Sequence, residues 1–197
     1  MKLYDRAYFQ RWYHQPTTRV VSPRVLERKV RLALAAAEYL LSRRVASVLD
    51  VGCGEAPWYA VLRRLRRGIV YQGVDASEYV VQRYGKRRNI RSGTFGGLRD
   101  LRLAPGWDLI VCSDVLQYVP SAQLPRGLRE IRRLLGGVAF IEAYAQEDAM
   151  EGDMEDWHVR PAAEYRRLFR RAGLAHCGLS CFIDPRKLAG VNALEMC

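Results

Sequence analysis

The fold of this chain is decided by one stretch, Val48-Leu49-Asp50-Val51-Gly52-Cys53-Gly54-Glu55-Ala56-Pro57-Trp58. The apolar run 45–51 is short, rich in valine and followed at once by glycines, which is typical of a buried strand in a parallel sheet. Gly52 and Gly54 predict a tight turn, where a missing Cβ lets the backbone approach a ligand. Pro57 suits the first turn of a helix, since its missing N–H is not needed there. Strand, turn and helix start together predict a nucleotide-binding crevice.

The residues around the glycines indicate which nucleotide this crevice binds. The dinucleotide fingerprint G-x-G-x-x-G fails here, because Pro57 stands in the place of the third glycine. Asp50 ends the strand instead and gives D-x-G-x-G, which resembles the first motif of class I S-adenosylmethionine-dependent methyltransferases. The resemblance implies that the loop faces the amino-acid moiety and ribose of the cofactor, and that Asp50 receives its ammonium group directly or through water. From the motif alone, a buried strand with an ordinary turn remains the alternative.

A second strand is predicted from Ile69 to Asp75. Asp75 follows the glycines at the distance expected of a carboxylate that accepts both ribose hydroxyls, a chemistry that nicotinamide enzymes share. In the methyltransferase family a later loop often carries an acid for the adenine amino group, and here Thr94 stands in that place, so a backbone carbonyl or the Thr94 hydroxyl has to serve. The resemblance implies these cofactor-binding residues: Asp50, Gly52, Cys53, Gly54, Asp75, Ala76, Thr94, Phe95 and Ser113.

The stretch from Trp107 to Val119 resembles the fourth-strand motif of the same family, and it places Ser113 and Asp114 at the crevice. The chain lacks N-P-P-Y, D-P-P-Y and a Pro-Cys pair, which argues against DNA methylases of exocyclic amines and of cytosine C5. What remains resembles small-molecule methyltransferases, although protein and RNA enzymes carry such variants too. For the acceptor side we predict His158, Tyr118 and Asp114 as catalytic residues, and Tyr8, Trp12 and Glu142 as substrate-binding residues.

The remaining segments complete the predicted fold, an α/β Rossmann-like, seven-stranded, mostly parallel sheet with helices on both faces and an antiparallel C-terminal strand. A single domain is expected over residues 1–197, with its core at 23–197. The predicted elements are a helix over 23–43 capped by Ser22, a helix ended by Gly136-Gly137, a fifth strand over 138–144, and two last strands over 174–183 and 188–195.

Residues 1–22 form an aromatic segment ahead of this core. Tyr4, Tyr8 and Trp12 follow the i, i+4, i+8 spacing of one helical face. Such a face either packs on the core or covers the active site. We interpret it as a lid, with packing on the core as the alternative.

Composition limits which partners and which cellular compartment are expected. The chain has 197 residues, 49% of them hydrophobic, and contains no apolar run of membrane-spanning length and no signal-peptide core. Five cysteines without a C-x-x-C pair favour reduced thiols in the cytoplasm. The net charge of +11 comes from arginine pairs spread along the chain, as on solvated helix faces, although nucleic acid is an alternative partner. An acidic loop over 147–156 lacks the ligand spacing of a calcium site, so no metal is expected.

Together these features predict transfer of the methyl group of S-adenosylmethionine to a small-molecule acceptor, at oxygen or nitrogen, by in-line displacement. Two alternatives remain open. One is an RNA methyltransferase that uses the basic surface, and the other is a non-catalytic module that binds the cofactor.

Overall fold

The computed structural model describes residues 2–149 and 153–187. Its strands are β1 Ser47–Val51, β2 Val70–Asp75, β3 Ile90–Ser92, β4 Trp107–Ser113, β5 Leu135–Glu142, β6 Ala175–His176 and β7 Cys181–Ile183. They form one sheet in the order β3-β2-β1-β4-β5-β7-β6. Neighbours among β1 to β5 are parallel, whereas β7 is antiparallel to both β5 and β6. This arrangement confirms the predicted fold class.

Helices cover both faces of the sheet. They are α1 Arg6–Phe9, α2 Pro23–Leu41, α3 Pro57–Leu65, α4 Glu78–Arg88, α5 Leu124–Leu134 and α6 Ala162–Ala172. Successive residues of β4 point to opposite faces: Leu109 and Val111 join a core formed with α2 and α3, while Ile110 and Cys112 join one formed with α5 and α6. Burial on both faces explains why this strand reads as an unbroken apolar run.

The strand order reverses between β1 and β4, which are neighbours in the sheet although two strands separate them in the chain. Ligands of open α/β sheets bind at such a switch point, beyond the carboxyl ends of the strands. The predicted glycine turn follows β1 and therefore lies there. Within the described residues, no helix combines the length and apolar composition needed to cross a membrane.

The prediction that Gly136 and Gly137 end a helix is wrong. Helix α5 ends at Leu134 and β5 begins at Leu135, so both glycines belong to the strand. A Cβ on Gly137 would lie 2.2 Å from the backbone oxygen of Asp108, and one on Gly136 would lie 2.9 Å from the backbone of Gly106. The glycines are therefore needed because β5 passes very close to the chain that leads into β4.

The predicted strand over 174–183 is in fact two short strands. Between β6 and β7 the chain reverses through Gly178, Leu179 and Ser180, whose φ angles are +84°, +48° and +61°. Three consecutive left-handed residues cannot continue a strand, and they produce the turn. The other strand predicted near the C-terminus, over 188–195, lies outside the described residues.

The aromatic N-terminal segment is not one regular helix. Tyr4 precedes α1, Asp5 caps it by accepting the backbone N–H of Tyr8 at 2.9 Å, and a π-helix, Gln10–His14, follows. The wider π turn changes which rings meet, because it moves the next neighbour from i+4 to i+5. Accordingly, the ring of Tyr8 lies 6.3 Å from that of Tyr13, which is five positions further along the chain.

Candidate functional site

The glycine turn after β1 is held against the end of β2. The backbone N–H groups of Gly52 and Cys53 donate to the carbonyl of Val74 at 2.7 and 3.2 Å. The N–H of Gly54 donates to the carboxylate of Asp75 at 2.7 Å. Gly52 has a φ of +71°, and a Cβ there would lie 2.3 Å from the side chain of Val115. The turn therefore requires glycine both for its conformation and for the approach of the loop after β4.

Within the described residues, two cavities flank this turn and a third adjoins them, and we name them by position. The β1 cavity, of about 440 Å³, is lined by Asp50, Gly52, Cys53 and Ser113 among others. The β2 cavity, of about 320 Å³, is lined by Gly52, Gly54, Asp75, Ala76, Thr94 and Phe95 among others. The outer cavity, of about 530 Å³, is lined by Tyr8, Trp12, Tyr118, Tyr144, Asp153 and Trp157 among others. Tyr13 and Asp114 border all three, so the cavities meet at these two side chains.

The structure brings every residue predicted to bind the cofactor to the β1 or the β2 cavity. In the β1 cavity, Asp50 is only 2% exposed and accepts the Tyr71 hydroxyl at 2.8 Å. Burial raises the pKa of Asp50 to about 7, although the Tyr71 hydrogen bond opposes the rise. A cationic group placed beside Asp50 would favour its ionised form.

In the β2 cavity, Asp75 is the anchor of the loop. Its two oxygens accept the backbone N–H groups of Gly54 at 2.7 Å and Ser77 at 2.8 Å. Burial raises the pKa of Asp75, and the backbone hydrogen bonds oppose that shift. Each carboxylate oxygen can accept a further bond, so hydroxyl groups of a ligand still find acceptors here. Thr94 accepts the N–H of Gly97 at 3.1 Å and keeps its hydroxyl proton for a ligand.

The ends of β4 and β5 carry a polar cluster. Glu142 accepts the hydroxyl of Ser113 at 2.7 Å and the ammonium of Lys29 at 2.5 Å. Asp114 has a φ of +60°, and its buried Oδ1 has no hydrogen-bond partner within the described part of the chain. Burial first, and then the charge of Glu142, raises the pKa of Asp114 to about 6. A buried carboxylate oxygen without a partner is costly, which favours a role in ligand binding.

The residues predicted for the acceptor side are only partly brought together. Tyr8, Trp12, Asp114 and Tyr118 line the outer cavity. Burial raises the pKa of Tyr118 to about 12, and its hydroxyl donates to the backbone oxygen of Asp153 at 2.8 Å. Glu142 contacts Ser113 but lines none of the three cavities.

His158 is not brought to any of the three cavities. The residue is exposed, and its backbone N–H donates to the carbonyl of Gln117 at 2.7 Å. Its ring therefore does not line any of the cavities that hold the other predicted site residues.

Sequence reasoning missed three residues of the site. Tyr13 was not predicted, because its position depends on the π turn and the sequence has no local pattern that indicates such a turn. His14 lies 2.7 Å from the buried carboxylate of Glu55 and lines the β1 cavity. Lys29 lines it too, and its partner Glu142 is 113 positions away in the chain. Pairs so distant carry no signal in a single sequence.

Similarity to known proteins identifies the family to which this site belongs. Residues 22–186 match the family described as a methyltransferase domain. No curated protein sequence gave a significant match.

Many solved structures share the fold, and three of them are described here. A putative sarcosine dimethylglycine methyltransferase from Galdieria sulphuraria has a TM-score of 0.62 at 18% identity, over 88% of this chain and 77% of the other. The plantazolicin methyltransferase BamL, solved with a desmethylPZN analog and SAH, has a TM-score of 0.61 at 15% identity, over 78% and 67%. DesVI of Streptomyces venezuelae has a TM-score of 0.60 at 18% identity, over 80% and 92%. The chain belongs to the methyltransferase domain family and is an S-adenosylmethionine-dependent enzyme, which confirms the predicted family and cofactor.

Proposed function

We propose that this enzyme methylates a small-molecule acceptor, at oxygen or nitrogen, which binds in the outer cavity. One observation carries the proposal. The outer cavity meets the two cavities that hold the predicted cofactor-binding residues, and it meets them at Tyr13 and Asp114. An acceptor in the outer cavity therefore reaches the cofactor cavities without displacing the glycine turn.

The residues present fit S-adenosylmethionine. The turn at Gly52 and Gly54 leaves room that a Cβ would fill, and carboxylates stand in both cavities. In this proposal Asp75 binds the ribose hydroxyls and Asp50 the ammonium group. The adenine lies in the β2 cavity near Ala76, Thr94 and Phe95. When bound, the cofactor supplies a methyl group already activated on a sulfonium.

The chain itself then has to align the acceptor and remove one proton from it. Tyr8 and Trp12 position the acceptor, and Glu142 acts indirectly by holding Ser113 at 2.7 Å. Asp114 takes the proton, because its pKa of about 6 leaves it largely ionised at neutral pH and its Oδ1 is unpaired in the described part of the chain. Tyr118, whose pKa is about 12, stays neutral; its hydroxyl donates to the backbone oxygen of Asp153, and its oxygen can still accept a hydrogen bond from the acceptor. His158 has no part in this proposal, since it lies outside the three cavities.

One observation favours RNA as a second candidate acceptor. Arg99, Arg126, Arg129 and Arg133 line one surface groove next to Gly96. Arg133 is paired with Glu130 at 2.6 Å, whereas no ion pair within the described residues involves the other three. Unpaired arginines on one groove are suited to phosphate groups. RNA binding that weakens steeply with salt would support this candidate.

Two measurements test the proposal. Calorimetry should show binding of S-adenosylhomocysteine and none of NAD; NAD binding without S-adenosylhomocysteine binding would contradict it. A screen of cell metabolites and RNA with labelled methyl donor should then place the label in the small-molecule fraction. Label confined to RNA would favour the second candidate.

A further inference from the structure

The side chain of Lys2 lies inside the site, among three tyrosine rings. Its ammonium is 4.4 Å from the ring centre of Tyr118, 5.1 Å from that of Tyr8 and 5.6 Å from that of Tyr4. It also forms an ion pair with the carboxylate of Asp153. Both side chains are buried, with exposed fractions of 5% for Lys2 and 6% for Asp153. We call Tyr4, Tyr8, Tyr118 and Asp153 the tyrosine cage.

The arrangement of the rings and the carboxylate in the cage suits a positively charged group. The ring of Tyr4 is nearly perpendicular to those of Tyr8 and Tyr118, at 83° and 88°, so the rings form walls rather than a stack. Aromatic faces carry partial negative charge and attract an ammonium, most strongly where water is excluded. A buried ammonium also needs a carboxylate to offset its lost hydration, and Asp153 supplies one.

The cage stands where the cofactor and acceptor cavities adjoin. Its three tyrosines line the β2 cavity, and Tyr8, Tyr118 and Asp153 also line the outer cavity. The outer cavity adds a second carboxylate, Asp114, and further aromatic rings, including Tyr144 stacked on Trp157 at 5.8 Å. Arg19 also lines the outer cavity, so two carboxylates and several aromatic rings stand there against one guanidinium, and together they favour a cationic ligand over a neutral or anionic one.

We propose that the acceptor is an amine whose nitrogen takes the place of the Lys2 ammonium in the tyrosine cage, and that Lys2 fills the cage until the amine arrives. This inference rests on the proposed function and narrows it to N-methylation. Lys2 acts as an internal competitor, so a weakly basic or poorly fitting molecule does not open the cage.

The balance of charge in the reaction explains why such a cage suits an amine. The bound ammonium gives a proton to Asp114, and its nitrogen lone pair forms the new N–C bond. The C–S bond breaks as its electron pair returns to sulfur, which leaves a neutral thioether and an N-methylated ammonium. Positive charge thus moves from sulfur to nitrogen, where the cage stabilises it. A hydroxyl acceptor ends neutral once its proton is lost and gains nothing from the cage.

Removing Lys2 should open the cage without releasing the segment. The backbone N–H of residue 2 donates to Asp156 at 3.0 Å, and Lys2→Ala retains that bond. Lys86→Ala is the matched control, because it removes the same charge from an exposed position on α4. The probes are choline and its uncharged isostere 3,3-dimethylbutan-1-ol, measured by calorimetry with S-adenosylhomocysteine present.

We expect Lys2→Ala to bind choline at least tenfold more tightly than the isostere, and at least tenfold more tightly than the wild type or Lys86→Ala does. Adding Tyr118→Leu to Lys2→Ala should abolish the preference, since it removes the nearest wall of the cage. Equal binding of the two probes by Lys2→Ala, or binding of neither, would overturn the inference.

The same labelled donor should then be offered to secondary amines and to the matched alcohols. We expect label in the amines. Label only in the alcohols would overturn the amine inference while the proposed methyl transfer stands. A protein that binds no S-adenosylhomocysteine would instead refute the proposed function itself.

Discussion

Asp50 provides the sharpest test of the site, because its charge in the folded protein depends on pH near neutrality. Burial at the end of β1 raises its pKa from the ordinary 3.8 to about 7. Each pKa unit corresponds to about 1.36 kcal/mol, so the ionised form costs the fold roughly 4 kcal/mol relative to the protonated form. We expect Asp50→Asn to remove this pH-dependent cost, since the amide carries no charge.

The sign follows from proton binding. Below pH 3.8 the carboxyl is protonated in both the folded and the unfolded chain, and its contribution to stability is fully present. Between pH 3.8 and about 7 the unfolded chain loses the proton while the folded protein keeps it, so the free energy of unfolding falls. Above about pH 7 both forms are ionised and the loss is complete.

Denaturant unfolding of the wild type and Asp50→Asn, without cofactor, should be measured from pH 4.5 to 8.5. Relative to the variant, the wild type should lose roughly 3 kcal/mol across this range, because part of the full effect lies below pH 4.5. Other buried carboxyls, such as Asp114, titrate in both proteins and cancel in the difference. Asp100→Asn, at an exposed position, should run parallel to the wild type. A constant difference between wild type and Asp50→Asn would refute the reasoning.

Two further predictions concern the cofactor cavities and the N-terminal segment. Asp75→Ala should weaken S-adenosylhomocysteine binding at least tenfold by calorimetry, since hydrogen bonds to an ionised carboxylate are worth roughly 1.5–3 kcal/mol each; unchanged affinity would show that Asp75 does not hold the ribose. If residues 1–22 form a lid, hydrogen exchange over residues 4–15 should slow when S-adenosylhomocysteine is added. Deleting residues 1–15 should then lower the activity strongly and change the melting temperature little. Equal protection with and without ligand would identify the segment as packed core instead. One of its rings, that of Phe9, is already buried in the core, with an exposed fraction of 3%.

The centre of the sheet was predictable because its signals are local. The apolar run before Gly52 forms β1, and Asp75 ends β2 at the expected place. Both strands are largely buried, so their sequences are mostly apolar and can be recognised without knowledge of the neighbouring strands. The predicted cofactor-binding residues each lie in or beside a motif at the end of a strand, and the structure brings all of them to the β1 or the β2 cavity.

The edge of the sheet and the acceptor side were harder to predict, because their signals are not local. Strand β6 has two residues and β7 has three, too few for a periodic pattern. Lys2 and Asp153, which meet in the tyrosine cage, are 151 positions apart in the chain. His158 was predicted as catalytic because histidine can act as a general base near neutral pH, but it lines none of the three cavities, since only the fold decides which side chains reach a cavity.

The whole chain is strongly basic, whereas its three cavities are lined by more acidic than basic side chains. The net charge is +11, yet Asp50, Asp75, Asp114 and Asp153 line these cavities, with Glu27 and Glu55, against Arg19, Lys29, Arg64 and Arg88. Several arginines are used elsewhere, as in the pairs Arg66–Glu38 and Arg132–Asp184. A sulfonium donor and the proposed ammonium acceptor are both cations, and water-excluding cavities make their attraction to nearby carboxylates strong. The acceptor is therefore better judged from the few charges inside the site than from the many on the surface.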